Sequence, residues 1–239
     1  MSSVLVRTHW HHPEWCVVAL AAAGWLGLLL ASTTEPMLVL GIHEVHTPAE
    51  ALEHSAVMSA AMMAPLVLDQ ANHVAVFSLW RRRYRAVAGY LLGYLGIWTL
   101  AGAALMVGGS ATAELLGWRP TIVAAFILAI AAAASPTRRQ LVRQCWTTKP
   151  LAMRGWRADR DCIQFGADMA RRCFTTSWAL MLAVTAQHGL VLMAAATAVT
   201  FAERRGSLKP DRVVAATTAL GLSAFAFATI AGWMSIHHP

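Results

Sequence analysis

The sequence predicts an all-α fold: a polytopic transmembrane helical bundle of about seven spans, N-terminus inside and C-terminus outside. Three observations predict it. Of 239 residues, 57% are apolar and only 13% charged, with a mean hydropathy of +0.52, a balance that soluble domains do not reach. The apolar residues fall in runs long enough to cross a bilayer as helices, at ~1.5 Å per residue. Lys and Arg number 19 and sit mainly in the short connections. With the N-terminus inside, all of them except Arg119 fall on the cytoplasmic side, which fixes the orientation. The net charge of +7 therefore reads as topology and not as nucleic-acid binding.

The whole chain, 1–239, is expected to form one transmembrane domain. Its first span, about 15–32, follows a polar head with His9, His11 and His12; Arg7 before an apolar core also fits a secretory leader, and the stretch is read as a helix. The second span, about 54–80, ends at Arg81, Arg82, Arg83 and Arg85. The third, about 86–107, carries Gly89, Gly93 and Gly96, small residues that offer a surface for a partner helix. The fourth, 121–134, is short. A long basic connection, 135–160, leads to the fifth span, 165–187. The sixth, 189–203, follows a tight turn at His188 and Gly189, and the seventh is 213–236. The setting is a bacterial-type inner membrane.

The second span organises the rest. At ~100° per residue, His54, Met58, Met62, Pro65, Asp69, Asn72 and His73 share about a quarter of its circumference, and the opposite arc, including Met63, Val67 and Val74, is hydrocarbon. An ionisable Asp69 in a span is costly unless it faces the bundle interior with a partner. It is expected either to act at a functional site or to form a structural ion pair with Arg171 or Arg172, which lie at similar depth. On the fifth span Met169, Cys173, Ser177, Met181 and His188 share a face. Because the two spans run in opposite directions, His54 lies level with His188, and Met58 or Met62 with Met181. Cys173 and His188 are ~22 Å apart along a helix and cannot serve one ion, so metal binding would need two levels.

Histidines outside, methionines at mid-depth and cysteines inside form the order of a soft-metal route, since thioether and thiolate select Cu(I). The competing reading is an ordinary helix pair packed by methionine. The candidate metal residues are His54, Met58, Met62, Met181, His188 and Cys173. The four cysteines, Cys16, Cys145, Cys162 and Cys173, show no CxxC pair and map near the cytoplasmic side, so they are expected reduced. No HExxH, P-loop, GxGxxG or Ser/His/Asp arrangement stands in a usable context, so catalysis is not expected.

AAMMAP in the second span, Cys145 in the basic connection, Cys173 with SWALM in the fifth span and Met193 in the sixth together resemble the family of predicted metal-binding integral membrane proteins. That family carries an A-M-M-x-P signature, a lone loop cysteine and a C-x-G-C-C-W-x-L-M signature. The likeness covers about residues 53–205, with Met62, Met63, Cys145, Cys173, Trp178 and Met181 as matches. It implies a polytopic bundle and a metal such as copper. Where the family has a glycine and two cysteines, this chain has Thr175, Thr176 and Ser177. The expectation is therefore a non-catalytic accessory subunit packed in the lipid bilayer against other integral membrane subunits, such as a copper-dependent membrane enzyme. It would stabilise that enzyme or deliver its metal, held by Met and His and not by a cysteine cluster. The alternative is a copper-handling or transport protein acting on its own.

Overall fold

The structure, a computed structural model, describes residues 14–34, 47–145, 147–152, 154–187 and 189–237. Among them the chain is all-helical, with no strand. In order come α1 (Trp15–Thr34), α2 (Pro48–Met63), a 3-10 turn (Ala64–Val67), α3 (Leu68–Phe77), a second 3-10 turn (Trp80–Arg82) and α4 (Arg83–Leu116). They are followed by α5 (Trp118–Ala134), α6 (Pro136–Gln144), α7 (Gly155–Gln187), α8 (Leu190–Arg204) and α9 (Pro210–His237).

Among the described residues, three helical stretches are long and apolar enough to cross a membrane: Trp15–Thr33, Pro48–Phe77 and Trp80–Leu116. A fourth is reached only by joining Trp118–Ala134 to Pro136–Val142 across a 63° bend. The structure thus supports three or four of the seven expected spans among the described residues, and of the remaining helices α7 is charged and α8 short. From Arg157 to Arg172 α7 carries seven charged residues, Arg157, Asp159, Arg160, Asp161, Asp168, Arg171 and Arg172. The 15 residues of α8 extend only ~22 Å, short of a ~30 Å hydrocarbon layer. The basic connection is partly helical, since α6 and the start of α7 lie within it.

The second span begins earlier than its apolar run because Thr47 builds a cap. Its hydroxyl accepts the Glu50 N–H at 3.2 Å and the Glu50 carboxylate accepts the Thr47 N–H at 3.2 Å, a reciprocal pair that satisfies two end donors. Pro65 then interrupts the ladder, having no N–H and clashing with the carbonyl four residues back, and the chain tightens to a 3-10 turn. Four residues at 3.0 per turn instead of 3.6 advance the helix phase by about 80°.

That slip overturns part of the expected face. Asp69 and Asn72 are exposed and Val67 and Val74 buried, while Met63, ahead of the turn, is enclosed because the helix is buried on several sides at that level. Asp69 pairs with neither expected arginine. Arg171 instead reaches Asp168 at 3.6 Å, where Lys149 also binds, and the Arg172 guanidinium donates to the Thr147 hydroxyl and the Gln144 carbonyl.

The core is built on the crossing of α4 and α7. A Cβ on Gly93 would lie 2.1 Å from the Ile163 carbonyl oxygen, and one on Gly166 2.0 Å from that of Tyr90. The glycine surface expected for a partner is therefore largely occupied within the chain: Gly93 is covered, Gly89 is in ordinary contact with Ile163, and Gly96 is open. α1 meets α2 in the same way, Gly24 against the Ala61 backbone.

Candidate metal centre

Two sulfur-lined places lie along α7, ~12 Å apart by the eight residues from Cys173 to Met181. The first is a cavity of ≈ 20 Å³, room for one water-sized occupant. It is lined by Met58, Met62 and Met63 of α2, Met106 and Trp98 of α4, and Met181 and Thr185 of α7. All five methionines are buried. Ser55 also borders it, but its hydroxyl donates to the Thr99 carbonyl at 2.8 Å, so thioethers are the main donor set.

The second place joins Cys145, just past the end of α6, to Cys173 on α7. Their sulfurs are 3.9 Å apart, buried and unbridged. Cys145 is held by its N–H to the Val142 carbonyl at 3.1 Å and by its own carbonyl, which accepts from Gln70 Nε2 at 3.2 Å. Thr176 and Ser177, which stand where the resembled family has cysteines, donate to the Cys173 carbonyl at 2.8 and 2.7 Å. Arg138 of α6 ties the place together. Its Nε donates to the Thr176 carbonyl at 2.7 Å and its Nη2 meets Glu203 Oε2 of α8 at 2.7 Å, with Nη1 on the other carboxylate oxygen. Beside them Arg204 Nη1 donates to the Leu66 carbonyl at 3.4 Å, in the 3-10 turn that separates the two sulfur places.

The hydrogen bond shared with Cys173, and then burial, push the Cys145 thiol well up from its ordinary value. The metal-free pair is therefore not a free dithiolate, and an ion entering it displaces the Cys145 proton. Among the described residues no three His, Cys, Asp or Glu side chains cluster. What converges is sulfur, and thioether with thiolate is the donor chemistry of Cu(I).

Of the predicted metal residues, Met58, Met62 and Met181 are brought into one cavity. His54 is half-buried one turn from Met58 and does not line it. Cys173 belongs to the other place. His188 lies outside the described residues, as do His43, His46 and the N-terminal histidines. Sequence reasoning missed Met106, whose depth on the third span was the available signal. It also set Met63 on the wrong arc, and reached Cys145 only through the resemblance.

A sequence profile of the PpoB2 family, described as a copper chaperone, matches residues 55–229. This chain belongs to that copper-chaperone family. The match agrees with the copper-related resemblance at the level of the family, and it spans both sulfur places and the helices that build them. No curated protein and no solved structure matches the chain. The family is one of copper chaperones, which supports copper handling or delivery and is consistent with a non-catalytic role.

Proposed function

We propose that this chain takes up Cu(I) and delivers it within the membrane, using the methionine cavity and the Cys145–Cys173 pair as successive holding places. The observation that carries this reading is the placement of both on α7, ~12 Å apart, on the two sides of the broken second span. Thioethers bind Cu(I) without charge neutralisation and release it readily; a thiolate pair holds it more firmly. The positive-inside balance puts the methionines toward the outside and the cysteines toward the cytoplasm in a seven-span arrangement. The recipient is another integral membrane protein, a copper-dependent enzyme that the chain supplies or stabilises, and the uncovered Gly96 on α4 supports a seat for it.

The test is Cu(I) titration of purified protein against a competing chelator. Wild type is expected to take two ions. Joint replacement of Cys145 and Cys173 by Ser should remove the tighter one, and Met62→Leu with Met181→Leu the weaker. Leucine preserves volume, so folding survives. Binding that is absent, or indifferent to all four changes, overturns the reading. Thiol labelling of single cysteines placed at Glu50 and Gly155 should reach only the first from outside.

A further inference from the structure

A second cavity, of ≈ 10 Å³, opens between the start of α3 and the end of α8, and Cys145 forms part of its wall while Cys173 does not. Two of its lining side chains, Asp69 and Arg205, are exposed and opposite in charge, whereas Gln70 and Cys145 on its inner wall are buried. Arg205 lies over the Phe201 ring, 4.7 Å from its centroid. Among the described residues no salt bridge includes Asp69, so the carboxylate that the second span carries is accounted for by no internal pairing. Gln70 points to a ligand independently. It is only 6% exposed, its Nε2 donates to the Cys145 carbonyl, and its Oε1 is buried without a partner. Buried polar atoms are almost always satisfied. Clamping Cys145 explains the nitrogen of this amide and leaves the oxygen with room for a donor brought from outside.

Resting on the copper-delivery reading above, we infer that this cavity is the port through which a small thiol of amino-acid type, bearing a carboxylate and an ammonium group, exchanges Cu(I) with Cys145. The volume admits one water-sized group, enough for a thiolate sulfur whose bearer stays at the rim. There the Arg205 guanidinium meets the carboxylate in the fork geometry that suits it, and Asp69 meets the ammonium. An N–H of the bearer supplies Gln70 Oε1 with its donor. In the exchange the carrier's Cu–S bond and the Cys145 S–H bond break, a Cu–S bond forms to Cys145, and the proton passes to the carrier's sulfur. Net charge is unchanged and no electron moves. The ion then lies beside Cys173, whose sulfur is 3.9 Å from that of Cys145. Unloading is the same step reversed. The positive-inside balance places this end of the chain toward the cytoplasm, where thiols are kept reduced.

The test follows Cu(I) transfer to the intact chain in detergent from two donors: the Cu(I) complex of glutathione, which carries both charges, and that of 2-mercaptoethanol, which carries neither. Wild type is expected to load faster from the first. Asp69→Asn and Arg205→Gln change exposed side chains that do not touch the ion. Each should slow loading from the glutathione complex by up to about fivefold, the size of one exposed ion pair, with loading from 2-mercaptoethanol and the final copper affinity unchanged. Arg205→Lys, which keeps the charge, should fall closer to wild type. Equal loading of wild type from the two donors overturns the inference. So do rim variants that slow both donors alike, leave both unaltered, or lose affinity in step with rate. Should joint replacement of Cys145 and Cys173 by Ser leave bound copper at the wild-type level, the delivery reading fails; should it remove copper while the rim variants load normally from both donors, only the port fails.

Discussion

Gly93 of α4 and Gly166 of α7 face each other across a backbone-to-backbone crossing, each leaving the space into which the other helix's carbonyl projects. This contact fixes the distance between the helix that carries Trp98 and Met106 and the helix that carries Cys173 and Met181.

Gly93→Ala is accordingly expected to destabilise the chain. A methyl at 2.1 Å from the Ile163 carbonyl oxygen has only backbone to displace, and overpacking of that kind costs about 1–3 kcal/mol. A thermal melt in detergent checks it. An unchanged midpoint would show that α4 and α7 separate more easily than the geometry implies.

Restoring a thiol at Thr176 should tighten the site. Its side chain is buried one turn from Cys173 and adjoins Cys145, so Thr176→Cys offers Cu(I) a third soft ligand in place of a hard hydroxyl. Retention against a chelator is expected to rise at least about tenfold, or ~1.4 kcal/mol. No gain would mean that the two existing sulfurs already satisfy the ion.

The Arg138–Glu203 pair is expected to hold Cys145 in place. With side chains only 12% and 14% exposed, it is a largely buried pair, and removing one partner strands the other at a cost below the roughly 3–5 kcal/mol of a fully buried pair. Arg138→Ala should lower both thermal stability and copper affinity. Lower stability with unaltered copper binding would detach α6 from the site.

The helical character was legible because apolar runs and basic connections report it directly. So was the common level of Met58 or Met62 with Met181, because antiparallel helices preserve axial order. Other features follow from packing that periodicity does not encode. Cys145 lies in a polar connection whose path no repeat dictates. Met63 was set on the outer arc, yet α2 is buried on several sides at that level, with Ala61, Met62, Met63 and Ala64 all enclosed. Asp69 was carried round by the ideal 100° step across a turn that does not keep it. The glycines of α4 signalled close approach correctly, but nothing in their spacing said whether the other helix would belong to this chain.

The 3-10 turn at Ala64–Val67 also acts as a ruler. Because it joins the segment that ends at Met62 and Met63 to the one from which Gln70 holds the Cys145 carbonyl, its residue count sets the angular register between the two sulfur places. Substitutions there need only keep the tight winding, whereas inserting a single residue would swing Gln70 by roughly 100–120° about the axis and uncouple one place from the other. Sequence drift in this segment should therefore conserve length more strictly than identity.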